Sequence, residues 1–245
     1  MSERPMVREA EFTIVYDDQA AIERVRPAPG FACAVRHDGG LGLFDTGGDG
    51  DLLLHNLSAV DLDPGDFDWI VISHDDWDHT GGLAHLLGKS NRARVYLLPK
   101  FSDELRATVT GRRATLVELR GAAAIAPGVH STGPVRGKTI EQSLVLDTRH
   151  GLVVVTGCAH PGVTKIVRQA KDHWPGPVDL VFGGFHLAQE TPEVLAQMAA
   201  DLQAMGVRRA GPAHCSGETA QRVFREAFGD AYVECGVGRV ITAGP

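Results

Sequence analysis

The sequence predicts an α/β fold, on three observations. Apolar runs of strand length alternate with amphipathic stretches of helix length from end to end. Several of the runs are continuously apolar, as strands buried on both faces are. With 43% apolar and 22% charged residues, the chain can bury a real core, which excludes disorder as its main state. At 245 residues it sits near the upper size for one core. A single domain over residues 1–245 is therefore expected, made of two packed halves at about 1–125 and 126–245.

The first half opens with a β-rich run at residues 11–16. Residues 31–36 and 41–44 flank His37-Asp38-Gly39-Gly40, a hairpin turn. Residues 51–60 place apolar side chains at helical spacing and stop before Pro64. Residues 69–73 (WIVIS) are a buried-strand run, 80–89 a helix with Thr80 as N-cap, and 94–98 a further strand. In the second half, strands at 143–147 and 152–156 surround a turn at Arg149-His150-Gly151. Residues 163–173 are helical, 178–182 (VDLVF) a strand, and 192–205 a helix entered through Thr191 with Pro192 in its first turn. A short strand at 207–211 and a helix at 217–228 complete the pattern.

Twenty-four basic residues against 31 acidic ones leave a formal charge of −7, which argues against a nucleic-acid surface built on bulk charge. No apolar stretch approaches the roughly 20 residues that span a bilayer. Residues 1–11 are polar, unlike a secretory signal. Cys33, Cys158, Cys215 and Cys235 are far apart and form no CxxC pair, so a reduced, cytoplasmic protein is expected. Its partner is expected to be a small molecule, with neither nucleic acid nor membrane involved.

Histidines collect at the ends of apolar runs. The 69–73 run leads into His74, and 152–156 into Gly157-Cys158-Ala159-His160. The 178–182 run leads into Gly183-Gly184-Phe185-His186, and the run from Val207 into Pro212-Ala213-His214-Cys215. Ligands of open α/β sheets gather beyond the carboxyl ends of strands, and packing alone does not account for four histidines there. The densest stretch is His74-Asp75-Asp76-Trp77-Asp78-His79-Thr80-Gly81-Gly82. Its crowded carboxylates and imidazoles call for a cation, and such N/O donors suit zinc, iron or manganese. In an extended loop, positions 74 and 76 face one way and load one ion; Asp78 and His79, turning into the next helix, load a second. Gly81 and Gly82 let backbone pass close beneath. The plain alternative is an acidic surface turn.

This stretch resembles the HxHxDH signature of the metallo-β-lactamase fold superfamily. Residues 12–17 (FTIVYD), 30–31, 43–47 (LFDTG), 156–162 (TGCAHPG), 183–187 (GGFHL) and 214–217 (HCSG) are similar, in order, to one branch of it. That branch is the dihydropterin ribofuranosylaminobenzene-phosphate synthase-like proteins. The resemblance implies an αβ/βα four-layer sandwich with two divalent ions at the edge between two β-sheets. It implies His74, Asp76 and His160 on the first ion, and Asp78, His79 and His214 on the second. Asp45 either braces the ligand loop from behind or caps the turn at Thr46-Gly47. Cys158 either touches the metals, near where many members carry a bridging aspartate, or is a small buried thiol. His186 lines the pocket as a phosphate contact or general acid, or is a satisfied histidine at the sheet edge.

The superfamily usually has histidine where this chain has Asp76. Aspartate is shorter, harder and charged, so it favours iron or manganese, or it marks a weakened first site or a single-ion centre. Asp75 points away from its neighbours, toward solvent or a supporting contact. Cys215 is expected beneath the site, and Cys33 and Cys235 in the core. His37, His55, His85, His130, His150 and His173 are expected at the surface.

Two divalent ions about 3.5–4 Å apart can bridge and acidify a water and polarise a substrate oxygen. The leading expectation is therefore a metallo-hydrolase in which a bridging hydroxide attacks a phosphoester, ester, lactone or thioester. Asp78 and His186 are its candidate catalytic residues. A transferase like the branch's namesake, acting on a pterin diphosphate with release of pyrophosphate, is one alternative. A non-catalytic ligand-binding protein with a metal site degenerate at Asp76 is the other.

Overall fold

The computed structural model describes residues 5–89, 92–112 and 114–243. The first sheet contains β1 (Ala10–Tyr16), β2 (Ala32–His37), β3 (Gly40–Phe44), β4 (Trp69–Val71), β5 (Arg94–Leu97) and β6 (Thr115–Glu118). The second contains β7 (Ala123–Ala126), β8 (Val129–Ser131), β9 (Leu144–Thr148), β10 (Gly151–Thr156), β11 (Val178–Gly184) and β12 (Val207–Ala213). The last strand, β13 (Val240–Ala243), returns to pair antiparallel with β1. The orders are β13-β1-β2-β3-β4-β5-β6 and β12-β11-β10-β9-β8-β7.

Within each sheet a parallel set follows an antiparallel hairpin. Strands β3 to β6 are parallel, as are β10 to β12. Parallel pairing needs crossover connections, which lay helices on the sheet faces. Helices α1 (Gly50–Ala59), α3 (Leu83–Lys89) and α4 (Asp103–Gly111) serve the first sheet, with α2 (Trp77–Thr80) a single turn before α3. Helices α5 (Val163–His173), α6 (Pro192–Ala204) and α7 (Glu218–Phe228) cover the second. The result is an αβ/βα four-layer sandwich.

The apolar runs are continuous because their strands have two buried faces. In β10 and β11, Val153, Val155, Leu180 and Phe182 join a core shared with the first sheet. Leu152, Val154 and Val181, pointing the other way, pack with Ile166, Leu195 and Phe224 of the outer helices. Phe12 and Phe182 meet edge to face, ring centroids 5.3 Å apart, and join the two sheets.

Several elements differ from the sequence expectation. The helix expected at 80–89 is split, and Thr80 is not its N-cap. Asp76, in extended backbone, occupies the N-cap position of α2 without a side-chain capping bond, and Thr80 ends that turn with its hydroxyl donating to the Asp76 carbonyl at 3.1 Å. The break falls at Gly81-Gly82 because that backbone lies on the loop after β3. A Cβ at Gly81 would stand 2.2 Å from Gly48 O, and one at Gly82 2.2 Å from Thr46 O. Strands β11 and β12 run two residues further than expected, to Gly184 and Ala213. Helix α4 and the short strands β6, β7, β8 and β13 were not anticipated.

His37 and His130 are buried rather than at the surface. His37 accepts a 3.4 Å hydrogen bond from the Trp69 indole, and His130 stacks on Trp174 at 4.8 Å. Cys33 is buried and Cys235 half-buried against the first core. Among the described residues, no helix is long and apolar enough to cross a membrane.

Truncating the aromatic contact between the sheets tests this packing. Phe182→Ala is expected to lower the unfolding free energy by about 3–5 kcal/mol in urea denaturation. A loss under about 1 kcal/mol would contradict the packing described.

Candidate metal centre

Loops leaving β3, β4, β10, β11 and β12 converge on one rim where the two sheets meet. The turns there are sharp. Four of the five described non-glycine residues with positive φ lie on these loops: Asp45 (59°), Ala159 (59°), His186 (55°) and His214 (47°). Such backbone is sterically costly for residues with a Cβ and persists where its surroundings over-determine it, as at functional sites.

The structure brings the candidate donors together. Imidazoles form a row, with centroid separations of 4.4 Å for His186–His160, 4.9 Å for His160–His74, 4.2 Å for His74–His79 and 5.2 Å for His79–His214. Two carboxylates flank it. Asp76 Oδ2 lies 3.3 Å from His74 Nε2 and 3.4 Å from His160 Nε2. Asp78 Oδ2 lies 3.4 Å from His214 Nε2 and 3.8 Å from His79 Nε2. The sets His74–Asp76–His160 and Asp78–His79–His214 each have their donor atoms within 4.8 Å of one another. Cys158 Sγ sits between these sets, 3.2 Å from His79 Nε2, and falls within the same limit of His74 and His79 together.

Hydrogen bonds behind the imidazoles decide which nitrogen faces inward. Ser73 Oγ donates to Asp45 Oδ2 at 2.7 Å, so toward His74 Nδ1, 2.8 Å away, that oxygen acts as acceptor. His79 Nδ1 lies 2.8 Å from Asp45 Oδ2, and His214 Nδ1 2.7 Å from Asp18 Oδ1. Carboxylates only accept, so Nδ1 is protonated in each case and Nε2 is turned toward the rim. The Nε2 atoms of His74, His160 and His214 are buried and make no well-formed hydrogen bond among the described residues, only the 3.3–3.4 Å approaches to Asp76 and Asp78. Buried polar atoms left this way require compensation. Converging N, O and S donors fit a divalent ion.

The charges reinforce one another. Burial would raise the Asp78 pKa, but the adjoining His214 imidazole and the charges of His79 and His214 bring it down to about 2. Burial would lower the His214 pKa, yet Asp18 and Asp78 raise it to about 10. His74 is likewise raised, with burial outweighed by Asp76, Glu141 and Asp45. Asp76 is lowered, first by the His74 imidazole 3.3 Å away. His160 is lowered by burial and by the neighbouring His74. Contact between the Cys158 and Cys215 thiols raises the first and lowers the second.

Asp45 is fully buried and faces Ser73 and His79, accepting from Ser73 N at 2.6 Å as well as from the two side chains above, rather than capping the turn after it. Asp75 accepts from Ser102 N, at the start of α4, at 2.5 Å and lines a cavity together with Asp76. His186 is exposed and shares a cavity of about 510 Å³ with Lys138, Ala188, Gln189, Glu190 and Cys215. Cys215 therefore lines this cavity instead of packing wholly beneath the site. Its thiol is the main cause of a raised His186 pKa. A second cavity, of about 200 Å³, opens on the Asp76 side between Lys100, Phe101 and Thr139.

Sequence reasoning missed four residues in this neighbourhood. Ser73 and Asp18 orient imidazoles. Asp17 accepts from His214 N at 3.2 Å, and burial raises its pKa to about 7. Glu141 is fully buried and accepts from three backbone N–H groups of the His160 loop. Adjacent carboxylates ending an apolar strand, as Asp17-Asp18 do, are a signal available in the sequence. Glu141 has no comparable local signature.

The family model described as the Metallo-beta-lactamase superfamily matches residues 25–223. The chain belongs to this superfamily. A relative from Methanocaldococcus jannaschii is 26% identical, covering 81% of this chain and 83% of its own. It is named 7,8-dihydropterin-6-methyl-4-(beta-D-ribofuranosyl)-aminobenzene-5'-phosphate synthase. The crystal structure of a metal-dependent hydrolase of the beta-lactamase superfamily is similar, with a TM-score of 0.79 and 25% identity over 96% of this chain and all of that one. The metallo-beta-lactamase fold protein YhfI from Bacillus subtilis shares the fold, with a TM-score of 0.70 and 11% identity over 95% of this chain and 99% of its own. The Asp76 carboxylate places an oxygen between two imidazoles.

The His214 environment sets a pH dependence. Its pKa of about 10 in the folded chain exceeds the 6.5 of a free imidazole, so the native state holds a proton that the unfolded state releases. That stabilisation is complete below pH 6.5 and is lost as the pH rises through 10. In chelator-treated protein the Tm is expected to fall across this interval by scanning calorimetry, and a level or rising Tm would contradict the assignment.

Proposed function

We propose that this superfamily member is a metal-dependent hydrolase. His74, Asp76 and His160 hold one divalent ion, Asp78, His79 and His214 a second, and Cys158 lies within reach of both. The observation that carries the reading is the convergence of buried Nε2 atoms, without well-formed hydrogen bonds, on two carboxylates and a thiol. Ligands come from both halves of the chain, so residues 1–245 act as one catalytic unit. The similarity to a structure described as a metal-dependent hydrolase supports the same reading.

Bound divalent ions supply Lewis-acid polarisation of a substrate oxygen and a water acidified toward neutral pH. The chain's own residues do the rest. Ser73, Asp45 and Asp18 keep Nε2 of three imidazoles aimed at the rim. Asp76 supplies an oxygen to the first site, which favours iron or manganese over a nitrogen-only set. Asp78 stays ionised through the working pH range because its pKa is held near 2. His186, open to the cavity beside Cys215, is placed to give a proton to a leaving group. The substrate is a small phosphoester, ester, lactone or thioester.

One observation favours a second reading. The Methanocaldococcus relative is named as a synthase, so the same rim would bind a diphosphate leaving group in a pterin transfer. Pyrophosphate release from a pterin diphosphate that depends on an added aminobenzene phosphate would select the transferase.

Elemental analysis of protein purified without chelator, paired with a screen of phosphomonoester, phosphodiester, lactone and thioester substrates, tests the hydrolase. About two equivalents of metal and turnover abolished by chelation are expected. Absence of metal after incubation with iron, manganese and zinc would instead favour a non-catalytic binding protein. Replacing the proposed acid separates binding from proton transfer. His186→Asn is expected to lower kcat about 10²–10⁴-fold with metal content unchanged. An unaltered kcat would remove His186 from the mechanism.

A further inference from the structure

The turn at 158–160 has the geometry of an anion-binding site, and the chain fills it with its own side chain. Glu141 Oε1 accepts from Cys158 N at 3.1 Å and Ala159 N at 2.9 Å, and Oε2 accepts from His160 N at 3.0 Å. Successive N–H groups converge in this way when a left-handed residue follows a right-handed or extended one, and here Ala159 has φ of 59°. Glu141 is fully buried, and no lysine or arginine pairs with it among the described residues. The carboxylate is anchored by its own backbone, which exchanges hydrogen bonds with Val135 at 2.8 and 3.2 Å.

The next residue grips the other sheet. Gln142 Nε2 donates to Ile72 O at 2.7 Å, and its backbone N–H donates to Ser73 O at 2.9 Å. Ile72 and Ser73 lead directly into His74, whereas Glu141 holds the loop carrying Cys158 and His160. One dipeptide therefore ties together two donor-bearing loops that leave different sheets. Hydrogen bonds to a charged acceptor are roughly twice as strong as neutral ones, and all three made by Glu141 are of this kind.

We propose that Glu141, assisted by Gln142, is a positioning residue that fixes the spacing of the His74 and His160 loops and so sets the affinity of the centre for its metal. The proposal rests on the reading that His160 and Cys158 lie at a metal site. Groups behind metal ligands typically govern 10–100-fold of affinity. Glu141 also adds negative charge near His74 and His160 without occupying a coordination position.

Glu141→Gln is the direct test, because the amide keeps one acceptor oxygen and turns an N–H donor toward a backbone donor. Competition with a chromophoric zinc chelator is expected to show an affinity loss of about 10–100-fold relative to wild type. The visible spectrum of the cobalt(II)-loaded variant, which reports ligand geometry, is expected to shift. An affinity within about twofold of wild type and an unchanged cobalt spectrum would overturn the proposal. Amide hydrogen exchange in metal-free wild-type protein provides a second test that does not require the variant to fold. The 158–160 amides are expected to exchange slowly although they pair with no strand, and exchange at open-loop rates would overturn the clamp. Wild-type protein that takes up no zinc or cobalt would refute the metal reading itself, leaving protected 158–160 amides as support for the clamp alone.

Discussion

Asp45 has no solvent contact and accepts three hydrogen bonds, from Ser73 N, Ser73 Oγ and His79 Nδ1. That single carboxylate orders the rest of the rim. By accepting a hydrogen bond from the Ser73 hydroxyl it leaves Oγ as an acceptor for His74, and by accepting from His79 Nδ1–H it leaves Nε2 facing inward. Two imidazoles are thus held in one tautomer by one buried charge. Asp18 repeats the device on His214 from the opposite side. A buried carboxylate is costly unless fully hydrogen-bonded, and here the bonds that satisfy it are the same ones that aim the donors.

The sheets have to approach closely for this to work, and the backbone shows where they do. At Gly157, at the end of β10, a Cβ would stand 2.1 Å from Ser73 Oγ and 3.0 Å from Asp45 Oδ2. Only glycine lets the second sheet's loop reach the carboxylate system of the first. The positive-φ residues Asp45, Ala159, His186 and His214 lie on the same rim. Strain is concentrated where four of these loops turn sharply, and the packed strands below supply the rigidity that sustains it.

What was legible in the sequence followed from range. The α/β class and the principal strands rest on apolar periodicity, a local property, and the two-faced burial of β10 and β11 matches their unbroken apolar runs. The donors from His74 to His79 sit within six residues, so their chemistry was visible before their geometry. Glu141 was invisible because its partners are backbone N–H groups 17 to 19 positions away, and backbone amides leave no compositional trace. His37 and His130 were misplaced at the surface because their burial depends on Trp69 and Trp174, which only the fold brings near. The helix start at Thr80 failed for a related reason. Residues Gly81 and Gly82 answer to the distant Thr46–Gly48 backbone rather than to local helix propensity.

Nitrogen-15 NMR of the zinc-loaded protein measures the imidazole tautomers directly. The account requires His74, His79 and His214 to carry their proton on Nδ1 and to show the chemical shift of a zinc-bound nitrogen at Nε2. Nε2-protonated rings, or spectra that zinc leaves unchanged, would contradict it.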